Sequence, residues 1–124
     1  MTATTSAGKT IDAANPPTSW LGTISAEARD QYKELRSTLL ASGPLDATTC
    51  EIINVVALAI RGFEPSFRIH AARLAQGGVP KRTVQHALVS TLGATTVLFE
   101  VARALQWLDD VYSDPSLPPV RAVR

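Results

Sequence analysis

Apolar residues recur at helical spacing along most of this chain, and the pattern predicts an all-α protein. The pattern is strongest between residues 46 and 78, where two apolar segments flank a turn at Gly62. The first segment is apolar on almost every side, which is typical of a buried helix. Its apolar residues are Ile52, Val55, Val56, Ala59 and Ile60. A central antiparallel pair of helices is therefore the centre of the predicted fold.

Capping signals mark the ends of these two helices. Asp46 can cap the first helix, but Thr48 and Glu51 also have the spacing of a capping box. The sequence therefore defines the first residue of this helix only to within one or two positions. Pro65 suits the first position of the second helix, and the glycine pair 77–78 ends it. The apolar stripe of the second helix consists of Phe67, Ala71 and Leu74.

Three further helices are predicted around this pair: from a Ser25 cap to about residue 41, from Val79-Pro80 to about residue 92, and from about residue 94 to residue 112. In the first of these helices the residues expected to be buried are Tyr32, Leu35, Leu39 and Leu40. In the second they are Val84, Leu88, Thr91 and Leu92. In the third they are Val97, Phe99, Val101, Ala104, Leu105, Leu108 and Val111. The last helix leaves little polar surface. We therefore expect an oligomer whose subunits share helical surface.

The two ends of the chain lack this periodicity. Residues 1–17 are rich in Thr, Ala and Ser, and residues 113–124 are rich in Pro, which is typical of tails. Trp20 and Leu21 mark the point where order is expected to begin. We predict a flexible tail over 1–17, one helical domain over 18–112 and a second tail over 113–124.

Composition narrows the range of functions. The net charge is +1 and 19% of the residues are charged, which gives no electrostatic reason to expect nucleic-acid or membrane binding. The single cysteine, Cys50, argues against a disulfide framework, and no signal-peptide pattern follows Met1, so we expect a cytoplasmic protein. The longest charge-free run, 83–99, is too polar for a membrane span. No metal-ligand spacing and no glycine-rich phosphate loop is present, so no metal or other cofactor is expected.

Glu51 and His70 are the clearest candidates for chemistry, because each is an ionisable group in an otherwise apolar helical pattern. Histidine suits general acid-base catalysis near neutral pH. Two structural alternatives stay open: Glu51 serves only the N-terminus of its helix, and His70 is a core or interface histidine. His86 lies off the centre of its apolar stripe and is interpreted as a surface or interface residue. Lys33, with its charged neighbours, is interpreted as part of a solvated face.

Simple helix geometry does not bring the two groups together. Glu51 lies ten residues before the end of its helix at Arg61, about 15 Å at ~1.5 Å per residue, whereas His70 is five residues into the next helix, about 7 Å. A symmetric hairpin would place His70 beside Ala57 or Leu58. Contact therefore requires a steep crossing angle, a bridging water or a second subunit.

The segment from Leu45 to Val89 resembles the core of the carboxymuconolactone decarboxylase and alkylhydroperoxidase D (AhpD-like) superfamily. It reads LDATTCEIINVVALAIRGFEPSFRIHAARLAQGGVPKRTVQHALV. The Leu-Asp start, the following Glu, the Ala-rich helix, the Gly turn and the His match the superfamily pattern. The resemblance places Glu51 and His70 at the relay Glu and His of the peroxidase branch. It implies an AhpD-like helical domain assembled as a trimer or hexamer.

Two departures distinguish this chain from the branches of the superfamily. The cysteine pair of the peroxidase branch falls on Phe63 and Ser66, and Cys50 is the one thiol, so Cys-x-x-Cys peroxidase activity is not expected. The decarboxylase branch relies on acid-base groups, and this divergent member is nearer to it. That branch has a Glu where this chain has Ser66, and a Tyr-Ala-Gly segment where this chain reads STLGATTV.

The leading hypothesis is a cofactor-independent acid-base enzyme of the carboxymuconolactone decarboxylase type, acting on a small organic acid, lactone or enolisable ketone. His70 would move a proton, Glu51 would orient it or relay the proton, and Ser66 would hydrogen-bond the substrate. A Ser66–His70 nucleophile is a further alternative. The residues predicted to bind substrate are Phe63 and Phe67, as an apolar pocket, and Arg61, Arg68 or Arg73, as a partner for a carboxylate.

Two other classes of function stay open. The first is a thiol-peroxidase-like oxidoreductase that uses Cys50 alone. The second is a non-catalytic binding module that has lost the superfamily's redox cysteines. For the enzyme, the expected partners are a small-molecule substrate and further copies of this chain.

Overall fold

Six helices make up the part of the chain that the computed structural model describes, which is residue 11 together with residues 14–116. They are α1 (Pro17–Ile24), α2 (Ala26–Leu40), α3 (Ala47–Arg61), α4 (Glu64–Gln76), α5 (Lys81–Val89) and α6 (Leu98–Tyr112). No strand occurs within these residues, which confirms the all-α prediction. Most of the two predicted tails, residues 1–10, 12–13 and 117–124, lies outside the described residues.

The first helix, α1, has no counterpart among the predicted helices. The sequence pattern predicts only an anchor at Trp20 and Leu21, whereas a helix begins at Pro17, where proline occupies the first helical position. α1 has eight residues, which is too short for an apolar periodicity to be evident. Its last residue, Ile24, is followed directly by the Ser25 cap of α2.

α2 packs mainly against α1, and its ends agree with the prediction. The Ser25 hydroxyl accepts a hydrogen bond from the Ala28 N–H at 3.0 Å, as an N-cap does. The prediction of a buried face is wrong for the single chain, because α2 does not pack closely on α3–α6. The exposed residues are Tyr32, Leu35, Leu39 and Leu40.

Caps fix both ends of α3, and α4 follows it directly. The Asp46 carboxylate accepts a hydrogen bond from the Thr49 N–H at 2.7 Å, which starts α3 at Ala47 and lowers the pKa of Asp46. Gly62 ends α3 with φ +71°, a left-handed conformation that glycine adopts without steric cost. α4 then begins one residue before Pro65, and it packs against α3.

The hydrophobic core lies between α3, α4, α5 and α6. The Phe67 and Trp107 rings form its centre, with their centroids 5.5 Å apart and their planes tilted by 60°. The predicted stripe of α4 is buried as expected. The largest completely buried side chains are Phe67, Leu108, Val55 and Val84. This core holds α3 and α4 in a fixed arrangement, which determines the geometry of the candidate site.

The connection between α5 and α6 is longer than predicted. α5 ends at Val89 and α6 begins at Leu98, where the Glu100 carboxylate accepts the Val97 N–H at 2.9 Å. In the intervening turn Gly93 has φ +86°, and the hydroxyls of Thr91 and Thr96 are 2.9 Å apart. These local hydrogen bonds compete with helix formation. Leu92, Val97 and Phe99, which were expected to be buried, are exposed in the single chain.

None of the helices within residue 11 and residues 14–116 has both the length and the apolar character needed to cross a bilayer.

Candidate functional site

Glu51 and His70 are in direct contact. Oε2 of Glu51 lies 2.5 Å from Nδ1 of His70, and the two side chains are only 18% and 14% exposed. Both residues belong to one chain, so the contact needs neither a bridging water nor a second subunit. Because an ionised carboxylate can only accept a hydrogen bond, Nδ1 carries the proton and is the donor of this hydrogen bond.

Buried neighbours on the two helices hold this pair in place. Val55, one turn after Glu51 on α3, is completely buried. On α4, Phe67 and Leu74 lie about one turn before and after His70, and both are buried. The carboxylate and the imidazole therefore project from the faces of α3 and α4 that pack on the core. The core thus fixes the positions of both groups.

The pair lines a cavity of about 380 Å³ between α1–α2 and α3–α4. Nε2 of His70 has no hydrogen-bond partner among the described residues. Since Nδ1 donates to Glu51, Nε2 is the nitrogen left without a partner, and in the neutral tautomer it carries the lone pair. The cavity is lined by Pro16, Pro17, Thr18, Tyr32, Lys33, Arg36, Ser37 and Leu40 on one side, and by Glu51, Leu58, Ser66, Ile69, His70 and Arg73 on the other.

Ser66 also lines this cavity, one turn before His70 on α4. No hydrogen bond joins the Ser66 hydroxyl to His70 within residues 14–116, and the imidazole already bonds Glu51 through Nδ1. The structure therefore brings Ser66 to the cavity as a polar group but does not form a Ser-His pair.

Most of the residues predicted to bind substrate lie outside this cavity. Phe67 is in the core, and Phe63 is half exposed with the Arg61 guanidinium 4.7 Å from the centre of its ring. The cavity lining does not include Phe63, Phe67, Arg61 or Arg68. Of the arginines considered from the sequence, Arg73 is the one that does.

Arg68 is engaged by two carboxylates. Its guanidinium donates to Glu64 at 2.9 Å and to Asp110 at 3.0 Å. Burial alone would lower the pKa of Arg68, but the hydrogen bonds to Asp110 and Glu64 outweigh it and raise the pKa. This arginine therefore joins α4 to α6 rather than facing the cavity.

Two cations of the cavity were missed by sequence reasoning. Lys33 and Arg36 are three residues apart on α2, so they share one helix face. This spacing is the feature of the sequence that could have indicated a shared cationic face, but a charged helix face is usually solvated. The sequence does not show that this face of α2 borders the cavity that holds His70.

The other predicted residues lie apart from the Glu51–His70 pair. Cys50 is half-buried, with Sγ 4.0 Å from the Leu45 carbonyl oxygen, and it does not line the cavity. His86 and Arg82 line a larger and more open depression of about 560 Å³ along α5, which contains no carboxylate. A carboxylate that can orient an imidazole is therefore present in the smaller cavity, beside His70, and absent from the depression beside His86. Among the described residues no cluster of three or more His, Cys, Asp or Glu side chains could hold a metal ion.

The fold and this pair together define a small all-α protein with a carboxylate-imidazole site. The model of the Carboxymuconolactone decarboxylase family matches residues 26–110, from the start of α2 almost to the end of α6. The match covers well over half of the chain, and the chain belongs to this family. α1 precedes the matched residues. Comparisons with curated proteins and with solved structures gave no significant match.

Proposed function

We propose that this protein is a cofactor-independent acid-base enzyme of the carboxymuconolactone decarboxylase type. Its reaction is a decarboxylation, an isomerisation or a related proton transfer on a small organic acid, lactone or enolisable ketone. The observation that supports this proposal is the 2.5 Å contact between Glu51 and Nδ1 of His70 at the wall of a cavity. Family membership supports the same class of reaction.

The two nitrogens of His70 would have different roles. In an isomerisation, Nε2 takes a proton from a carbon beside a carbonyl group, and the electron pair moves into an enolate. The imidazolium then returns the proton to a different carbon. In a decarboxylation, the C–C electron pair stays with the substrate as CO₂ leaves, and a protonated His70 delivers the proton to that carbon. A positioned acid or base of this kind contributes roughly 10²–10⁴ in rate.

Glu51 would act through His70. By accepting the Nδ1–H hydrogen bond it holds the ring in one tautomer and stabilises the positive charge that develops during proton transfer. The Ser66 hydroxyl would hydrogen-bond the substrate. A cavity of about 380 Å³ suits a small molecule, since ligand pockets measure roughly 300–1,000 Å³.

The experiment that tests this proposal follows hydrogen exchange and CO₂ loss. The purified protein is incubated in D₂O with carboxymuconolactone and a panel of related lactones, keto acids and ketones, and ¹H NMR records deuterium incorporation. We expect turnover of at least one compound and a loss of roughly 10²–10⁴-fold in His70→Gln. His86→Gln is the matched control, because it removes the other histidine, and should keep the wild-type rate.

Two outcomes would contradict the proposal. Turnover that survives in a correctly folded His70→Gln variant would exclude His70 as the acid or base. Binding of a panel compound without turnover would instead favour the non-catalytic binding module.

A further inference from the structure

We propose that the outer face of α2 docks on the start of α6 of a neighbouring copy of this chain, and that Glu34 of one copy pairs there with Arg103 of the next. The contact is heterologous, because it joins two different surfaces of the same molecule. It is independent of the reaction proposed above. Since α2 also forms one wall of the cavity, this wall lies between its own α3–α4 and the neighbouring copy.

Both surfaces expose large apolar side chains in the single chain. On α2, Leu35 and Leu39 are 54% and 61% exposed, and their i, i+4 spacing places them on one side of the helix. At the start of α6, Leu98 and Phe99 are exposed even more. α2 packs mainly against α1, so the described part of the chain leaves this face of α2 uncovered. Exposed apolar faces of this kind commonly mark protein–protein contacts.

Two unpaired carboxylates border the apolar face of α2. Glu27 and Glu34 are exposed, and within residues 14–116 neither of them forms a hydrogen bond or an ion pair. Every other carboxylate side chain that the structure describes is engaged by a backbone N–H, a cation or His70. Because Glu27 and Glu34 are about two helical turns apart, they lie on the same edge of α2. That edge is therefore the part of the described surface with free negative charge.

Arg103 is the matching cation on α6. Its guanidinium lies 5.5 Å from the centre of the exposed Phe99 ring and 5.0 Å from the centre of the Trp107 ring. Its Nε is buried without a hydrogen-bond partner, and the side chain has no ion pair among the described residues. Partial removal of a guanidinium from water without a carboxylate is unfavourable, and the aromatic rings offset only part of this cost. A carboxylate from a neighbouring copy supplies the counter-charge that the single chain lacks.

Charge distinguishes this contact from a two-fold pairing. In an isologous contact a surface meets its own copy. Pairing α2 with α2 would bring two acidic edges together, and pairing the starts of two α6 helices would bring one Arg103 near the other. Like charges across an interface cost free energy, whereas the pairing of Glu34 with Arg103 joins opposite charges. Each copy offers one surface of each kind, so the contact repeats from copy to copy.

The first test is sedimentation equilibrium of two surface variants of the full chain. Leu35→Gln with Leu39→Gln blocks the α2 surface, and Leu98→Gln with Phe99→Gln blocks the α6 surface. We expect the wild type to be oligomeric and each variant alone to have the mass of one chain, 13.2 kDa. An equimolar mixture of the two variants should reach twice that mass, because one intact surface of each kind remains. Leu45→Gln is the matched control and should keep the wild-type mass.

The second test exchanges the charges of the pair. Glu34→Arg and Arg103→Glu should each raise the dissociation constant of the assembly about tenfold or more, because each places like charges in contact. The two substitutions in one chain should recover part of the affinity, since the pair is re-formed with its charges reversed. Arg82→Glu makes the same change of charge on α5 and should leave the dissociation constant unchanged.

A monomeric wild type overturns the proposal. An α2 variant that keeps the wild-type mass does so too, because the contact would then involve α6 alone, as does a mixture that stays at the mass of one chain. Failure of the charge exchange to recover any affinity would refute the Glu34–Arg103 pair. Circular dichroism of each variant checks the fold, and Arg103→Lys, which keeps the charge, should still assemble if Arg103→Glu does not fold.

Discussion

At the scale of single residues, the hydrogen bond between Glu51 and His70 makes the two ring nitrogens chemically distinct. The carboxylate accepts the Nδ1–H hydrogen bond, and in the neutral tautomer the lone pair resides on Nε2, for which the described residues supply no partner. In the proposed reaction, the role of His70 thus depends on Glu51 as much as on the imidazole itself.

Replacing Glu51 with Gln should therefore lower turnover while leaving the cavity in place. The amide can still accept the Nδ1 hydrogen bond but carries no charge to stabilise the imidazolium, so we expect a loss of roughly 10²-fold in kcat. The hydrogen-exchange assay measures this loss. Glu64→Gln, which changes a carboxylate paired with Arg68 outside the cavity, should leave kcat unchanged.

The two residues should also act as one unit. In the double variant Glu51→Gln with His70→Gln, the loss should be close to that of His70→Gln alone, because the carboxylate acts through the imidazole. Independent, additive losses would show that Glu51 has a separate role.

Tyr112 gives a prediction for alkaline pH. Burial raises the pKa of Tyr112 to about 12 from its ordinary value of 10.0, and its hydroxyl donates to the Val79 carbonyl oxygen at 2.6 Å. Because the folded-state pKa is raised, the stabilisation from the neutral phenol is complete below pH 10 and is lost between pH 10 and about 12. Urea unfolding at a series of alkaline pH values measures this loss.

Two phenylalanine substitutions separate Tyr112 from general alkaline effects. Tyr112→Phe should cost about 1 kcal/mol at neutral pH through the lost hydrogen bond and should show a shallower decline above pH 10. Tyr32→Phe, on the exposed face of α2, should follow the wild-type curve. A Tyr112→Phe curve parallel to that of the wild type would contradict the assignment.

At the scale of the elements, the turn between α3 and α4 depends on Gly62. Its φ of +71° is unfavourable for any residue with a Cβ, and a Cβ there would lie 3.0 Å from Nη2 of Arg103. We expect Gly62→Ala to lower the free energy of unfolding by about 1–2 kcal/mol, mostly through the backbone strain. Chemical denaturation followed by tryptophan fluorescence measures the change.

Gly43→Ala is the matched control in the loop before α3. A Cβ at Gly43 would meet no atom within 4 Å, and Gly43 does not have a positive φ. The substitution should be neutral or stabilise by up to about 1 kcal/mol, because it restricts the unfolded chain. An equal loss at both glycines would contradict a specific role for the turn at Gly62.

The elements that were predictable from sequence are those with strong local signals. α3 has a capping Asp46 and a terminal Gly62, and α4 has Pro65 in its first turn and a glycine pair after its last residue. The predicted stripe of α4 is buried, whereas in α3 Val55 and Ala59 are buried and Ile52, Val56 and Ile60 are half-buried. α1 is too short to show a period, and the hydrogen bonds around Thr91 and Val97 delay the start of α6. Local sequence signals do not predict whether the turn or the helix is the more stable structure at these residues.

The candidate site was predictable as chemistry but not as geometry. Glu51 and His70 stand out because ionisable groups are unusual in apolar stripes. Whether they touch depends on how α3 crosses α4, which tertiary packing decides, and the simple hairpin estimate separated them. Lys33 and Arg36 could not be assigned, because the sequence does not reveal which helix borders the cavity.

At the scale of the whole molecule, a run of three exposed apolar residues lies at the start of α6. Val97 is 64% exposed, and Leu98 and Phe99 are each 69% exposed. Three consecutive large apolar residues in water are unfavourable, and such segments commonly form subunit contacts. We propose that copies of this chain associate through this segment, in agreement with the oligomer expected from the sequence.

The double variant Leu98→Gln with Phe99→Gln should therefore have a smaller mass than the wild type in light scattering coupled to size exclusion. Leu45→Gln removes one exposed apolar side chain from a loop and should leave the mass unchanged. A monomeric wild type, or a double variant with the wild-type mass, would contradict this assignment.

The packing of α1 and α2 has a consequence for how ligand affinity is set. These helices pack mainly against each other, yet they supply one wall of the cavity. A ligand that touches both walls binds only those protein molecules in which α1–α2 lies against α3–α4. Its apparent affinity is therefore the intrinsic affinity multiplied by the fraction of protein molecules in this closed arrangement. By reciprocity, bound ligand should slow amide hydrogen exchange in α1 and α2 more than in the core helices. Substitutions at the α1–α2 surface can therefore tune affinity without touching the ligand.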